Sequence, residues 1–314
     1  MKIENLFNTE KLFLTDSGFE TTIIFHHNID LPHFALFSII DKARYRDVIY
    51  NYYREHLDLA IEHNTGFILE SATWRANKDW GFKLGYNQKE LIKINTLAIE
   101  QLKAIKKEYV SKVNPILISG QIGPAGDGYA IANTMTPVEA KQCHSLQILA
   151  FKEAGADLAS ALTIGYINEA LGIVQAAKEH QLPVVISFTV ETNGKLPSGE
   201  SLKQAIETID KLTNEYPLYY MINCAHPLHF INEIETLDDW KLRIKGVRAN
   251  ASCKSHAELD EATELDSGDP TDFGKWHKKL IEKLPNLKVF GGCCGTDISH
   301  IVEVCKGLKT RVTL

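Results

Sequence analysis

Short apolar runs alternate along the chain with longer stretches whose apolar residues recur every three or four positions. That alternation predicts βα units and a parallel sheet. Eight runs read as strands: residues 12–16, 67–71, 115–121, 157–162, 183–188, 218–223, 243–248 and 287–291. Eight is the number a closed barrel needs, and such barrels take roughly 250 residues or more. The chain has 314 residues and no low-complexity linker. The fold class expected is therefore α/β, a single (β/α)8 TIM barrel with long βα loops at its C-terminal face. It should form one domain over residues 1–314. An open doubly wound sheet competes, but the first strand is not followed by Gly-x-Gly-x-x-Gly. The first long helix is expected from about Ala43 to Asn64, with Tyr45, Ile49, Tyr52, Leu57 and Ile61 as its apolar stripe. Thr136-Pro137-Val138-Glu139 reads as a capping box with proline at the first helical position.

Composition narrows the function classes. Hydrophobic residues make 44% of the chain and charged residues 24%, as in ordinary globular proteins. A net charge of -6 argues against nucleic acid or an anionic membrane as partner. No apolar run approaches a membrane span. The segment Met1 to Phe13 carries Lys2, Glu4, Glu10 and Lys11 and lacks the apolar core of a signal peptide. Six cysteines without a secretion signal predict reduced thiols and a cytoplasmic protein. The oligomeric state is not legible.

The candidate chemistry gathers at strand ends. Gly291-Gly292-Cys293-Cys294-Gly295-Thr296 follows the last strand, and Thr296-Asp297 can cap the helix after it. Neighbouring side chains on a strand face opposite ways, so both sulfurs reach one ion only if the backbone turns, which glycine permits. A buried inert pair is the plain alternative. Asn223-Cys224-Ala225-His226-Pro227 follows the sixth strand, so a third cysteine also sits at a strand end. Three thiolates brought together would suit Zn(II), and a catalytic zinc keeps its fourth position open. His226 or His229 could instead close a structural site. His26, His27 and His33 in the first loop lack helical pairing and make a poorer metal set. Cys143 and His144 fall inside a helix and read as packing or surface residues, and Cys253 as a spectator thiol. The acidic run from Glu258 through Asp260, Glu261, Glu264 and Asp266 to Asp269 reads as a solvated lid. Asp16, Gly18, Glu70, Thr73, Gln121 and Asn223 stand at C-terminal strand ends, the face that carries chemistry in this fold, and are expected to line a pocket. Phe19 and Arg75 are further expected substrate contacts; Arg75 either pairs with Glu70 or holds a carboxylate.

These segments carry a resemblance. The double-cysteine motif with His300, Asn223-Cys224, Ser119-Gly120-Gln121-Ile122-Gly123-Pro124, Ile186-Ser187-Phe188-Thr189 with Gly199, and Asp16-Ser17-Gly18 resemble the homocysteine S-methyltransferases. That family includes the betaine–homocysteine enzymes and the homocysteine module of methionine synthase. The resemblance runs from about residue 12 to about residue 308. It implies a (β/α)8 barrel with Cys224, Cys293 and Cys294 as ligands of Zn(2+), and no catalytic group beyond the metal site. It implies two small-molecule partners, a thiol acceptor and a methyl donor. The reaction implied is methyl transfer to homocysteine, giving methionine. The donor is S-adenosylmethionine, S-methylmethionine, betaine or a methylated folate. Two positions depart from the pattern. Many members carry Glu-Thr at the end of strand 4, where that Glu binds the substrate's amino group; this chain has Leu162-Thr163. Arg75 stands where many members are uncharged. Leu162 leaves Glu70 and Glu191 as candidate partners of an ammonium, or another thiol or selenol as acceptor.

Overall fold

All eight apolar runs form strands, and these pair in parallel, in sequence order, into a closed barrel. The computed structural model describes residues 3–131, 133–235 and 238–308; Met1, Lys2 and residues 309–314 of the expected 1–314 unit lie outside them. The strands are β1 (Phe13–Leu14), β2 (Gly66–Glu70), β3 (Ile116–Ile122), β4 (Leu158–Ile164), β5 (Val184–Phe188), β6 (Tyr220–Asn223), β7 (Ile244–Ala249) and β8 (Val289–Gly292). Strands buried on both faces read as continuous apolar runs, which is why they stand out in the sequence. β1 closes the barrel against β8 through Phe13↔Val289 and Leu14↔Phe290.

A helix follows each strand. These are α1 (Arg46–Glu62), α2 (Gln88–Tyr109), α3 (Pro137–Ala154), α4 (Ile167–Glu179), α5 (Leu202–Thr213), α6 (Pro227–Phe230), α7 (Pro270–Lys283) and α8 (Ile298–Leu308). The capping box of α3 is present: Glu139 N donates to Thr136 Oγ1 at 3.3 Å, and Thr136 N to Glu139 Oε2 at 2.8 Å. The expected first helix needs trimming, because residues 43–45 form a single 3-10 turn before α1. Ile49, Tyr52 and Leu57 are buried as expected, whereas Tyr45 is half-buried and Ile61 is 37% exposed. Twelve residues along an α-helix accumulate a turn of about 120°, so Ile61 has rotated off the face set by Ile49.

The two ends of the barrel differ. At the N-terminal end, Phe7 plugs the bottom, its ring 5.2 Å from that of Phe13 and 4.6 Å from that of Tyr219. Ile68, Leu117, Leu158, Val185, Met221 and Val289 pack there with it. At the C-terminal end, the β4–β5 register shifts between Ala161 and Ile164. Such an irregularity re-aims side chains, and it falls on Leu162 and Thr163.

Candidate active site

The three strand-end cysteines converge. Cys224 leaves β6 with φ +53, and its N–H bonds Arg248 O at 3.1 Å. Cys293 N donates to Ala249 O at 2.8 Å, extending β8 by one more rung. Gly295, at φ +78, then turns the chain into α8. A side chain at Gly291 would strike Thr15 and the carbonyl of Asp16, and one at Gly292 would strike Thr296. So glycine alone lets the cysteine turn sit down on the end of β1. Thr296 locks the turn by donating from Oγ1 to Cys293 O at 2.7 Å.

The sulfurs of Cys224, Cys293 and Cys294 all lie within 4.8 Å of one another. Cys224 and Cys293 are in disulfide contact, with Cα atoms 5.4 Å apart, and Cys224 Sγ is 3.8 Å from Cys294 Sγ. Tetrahedral zinc with Zn–S bonds near 2.3 Å sets its sulfurs about 3.8 Å apart. The Cys224–Cys294 spacing fits that edge, and reduction frees Cys293 to reach it. Burial pushes the Cys294 thiol up to about 12, and the charge of Glu20 adds to this. A bare Cys294 is therefore protonated at neutral pH, and a bound cation would make it a thiolate. Asn223 Nδ2 points at Cys293 Sγ from 3.8 Å. The donor set fits a thiophilic metal ion. Neither neighbouring histidine joins it. His226 Nδ1 accepts from Leu228 N at 3.2 Å, and His229 Nε2 lies 2.9 Å from Cys253 O. Among the described residues the cluster offers three protein ligands, the number an open metal site would have.

A pocket opens directly above the sulfurs. It is lined by Gly18, Phe19, Gln121 and Asn223 of the expected set, together with the cysteines. Asn223 is fully used. Its Oδ1 accepts from Thr163 N at 2.8 Å and Ser187 Oγ at 2.6 Å, and its Nδ2 donates to Thr163 Oγ1 at 2.9 Å. Thr163 needs that clamp, because it sits at φ +63, a conformation costly for a β-branched residue. The face of Phe19 stacks on Tyr52, ring centroids 3.7 Å apart.

Asp16, Glu70 and Thr73 lie behind the lining. Thr73 Oγ1 donates to Gln121 O at 2.8 Å and so ties the ends of β2 and β3. Asp16 Oδ1 is 2.9 Å from Arg248 Nη2, close enough for an ion pair but off the hydrogen-bond line. Glu70 is buried, with Oε2 unpartnered. Burial pushes it up to about 7, against the pull of Arg248. Arg75 does not pair with Glu70. Its Nη1 donates to Gly126 O at 3.2 Å, and its guanidinium lies 4.2 Å from the Trp74 ring and 3.7 Å from that of Trp80. It belongs to an outer cleft with Phe34, Asp127, Tyr129 and Asp260. Glu191 stands in the turn after β5, outside the lining.

Sequence reasoning missed Glu20, Trp74, Tyr129 and Arg248, all of which line the inner pocket with Leu162. Arg248 was findable, as a charge inside the apolar run of β7. His144, expected to be a packing or surface residue, is buried with Nε2 3.0 Å from Glu169 Oε1, and that same oxygen accepts from Ala125 N at 2.7 Å. The pair therefore steadies the loop after β3. The acidic run caps and rims: Asp269 caps α7, Glu258 boxes a short helix and Asp260 edges the outer cleft. His26, His27 and His33 are exposed and do not form a metal cluster.

The homocysteine S-methyltransferase family model matches residues 13–308. The chain belongs to the homocysteine S-methyltransferase family. It is a methyltransferase acting on thiols. Homocysteine S-methyltransferase 1 of Arabidopsis thaliana is 26% identical over 318 residues, covering 95% of this chain and 94% of that protein. The protein of the same name from Brassica oleracea var. italica is 24% identical over 317 residues, with the same coverage. Among solved structures, the metallated form of the Escherichia coli homocysteine methyltransferase MmuM superposes with a TM-score of 0.73 at 16% identity, covering 98% of this chain and 99% of that one. Its oxidised form gives 0.72 at 19% identity, covering 98% and 97%. These structural matches establish the same barrel fold. Among the described residues, no helix is long and apolar enough to cross a membrane.

Proposed function

We propose that the protein moves a methyl group from an activated donor to homocysteine, giving methionine, with Zn(2+) held by Cys224, Cys293 and Cys294. The convergence of three sulfurs within 4.8 Å at the floor of a pocket carries this reading. The relatives' names support the acceptor. Zinc when bound supplies the acceptor sulfur as a thiolate near neutral pH, a form in which a free thiol with a pKa near 8.5 is scarce. The chain's own residues do the rest. Asn223 fixes the strained Thr163 and faces Cys293. Phe19, backed by Tyr52, and Trp74 wall off water. That restraint holds sulfur and methyl carbon at near-attack distance, which is worth several kcal/mol of barrier. The donor would enter by the outer cleft, where Trp74, Tyr129 and Phe34 meet Asp127 and Asp260. Aromatic faces and carboxylates suit a sulfonium or quaternary ammonium. The reduced sulfurs such a site requires fit a cytoplasmic enzyme.

Leu162 in the pocket wall favours a second reading, an acceptor without an ammonium. A screen of acceptors against donors on zinc-loaded protein tests both. X-ray absorption should show a fourth sulfur on zinc when homocysteine is added. Elemental analysis should find one zinc per chain in the wild type and none in Cys293→Ala. Full zinc in that variant would show the ligand set to be wrong.

A further inference from the structure

Homocysteine with its sulfur at the cysteines would bring its ammonium into the pocket as well, and that charge needs a partner. The acids near the pocket differ sharply in availability. Asp16 faces Arg248 and lies behind the lining. Glu70 is buried beneath the floor, within the field of the same arginine. Asp127 and Asp260 belong to the outer cleft. Glu20 alone of the acids lines the inner pocket, in the turn that follows Gly18 and Phe19. Leu162 lines the same pocket and offers an ammonium nothing.

We infer that Glu20 is the specificity-determining carboxylate that pairs with the acceptor's ammonium, so that an apolar Leu162 is compatible with an amino-acid thiol. The inference rests on the proposed reaction for its choice of acceptor. Three further observations fit it. Glu20 makes no ion pair with any described residue, and the one hydrogen bond that stabilises its charge comes from its own backbone N–H. It lines the same pocket as Cys224, Cys293 and Cys294, which puts its carboxyl in one cavity with the sulfurs. Burial holds its carboxyl up to about 7, so an incoming cation would draw it into the ionised form.

The test compares homocysteine with 4-mercaptobutanoate, the same thiol acid without its amino group. KM is measured with one common donor, and binding by calorimetry on zinc-loaded wild type and Glu20→Gln, a near-isosteric change. Wild type should favour homocysteine by about tenfold or more, the worth of one charge-assisted hydrogen bond. Glu20→Gln should lose that preference by weakening homocysteine while leaving 4-mercaptobutanoate unchanged. Equal weakening of both thiols, or homocysteine binding untouched by the substitution, overturns the inference. The two readouts separate it from the reaction. A wild type that turns over homocysteine with a KM indifferent to Glu20→Gln keeps the reaction and rejects Glu20. A wild type that turns over neither thiol, yet holds homocysteine more tightly through Glu20, rejects the reaction and keeps Glu20.

Discussion

Glu20 lies in a pocket that favours its neutral form, and the fold bears the consequence. Its folded-state pKa is raised from 4.5 to about 7, mainly by burial. For a carboxyl raised in this way, the contribution to stability is fully present below pH 4.5 and is lost as pH rises through about 7. Glu20→Gln removes that loss. Thermal melts of the substrate-free protein should therefore show the variant more stable than wild type at pH 8 and equal to it near pH 4.5. Equal melting at both values would mean that the carboxyl is better solvated than its position implies. Arg248 is the opposite case. It is buried, pairs with Asp16, and donates from Nε to Gly292 O at 3.1 Å. Removing one partner of a buried pair leaves an uncompensated charge and costs about 3–5 kcal/mol. Arg248→Met should show that loss in urea unfolding at pH 7. The sequence exposed the cysteines because three of them sit at strand ends beside glycine or asparagine. It hid Glu20 because that residue lies past the strand end, in a turn whose direction depends on Gly18 docking onto Thr296.

The elements show the same division between what is local and what is not. Every strand was legible, since burial on both faces demands an unbroken apolar run. The irregularity at the end of β4 was not, because a register shift belongs to two strands and leaves no mark on one. For the same reason Leu162 was noticed as an odd residue while the strain at Thr163 beside it was not. The junction of β8 and α8 is the element most sensitive to a single atom. Gly292→Ala would set a methyl group against Thr296, whose hydroxyl holds the Cys293 carbonyl. The expected result is a protein with native far-UV circular dichroism that loads far less metal, read by elemental analysis. Native metal content would show that Thr296 yields without disturbing the cysteine turn.

The whole molecule divides into a bottom that stabilises and a top that reacts, as barrels of this kind do. The ring of Phe7 at the bottom packs in an apolar cluster that includes Phe13 and Tyr219. Phe7→Ala should cost about 3–5 kcal/mol in unfolding free energy and leave metal stoichiometry unchanged; a loss of metal would mean that the two ends are coupled. Cys224 rides on β6 and the other two follow β8, with β7 standing between them in the ring. The sulfurs therefore come together only when β8 has paired with β7 and β7 with β6. A metal ion held by all three would thus report that this arc of the ring has assembled.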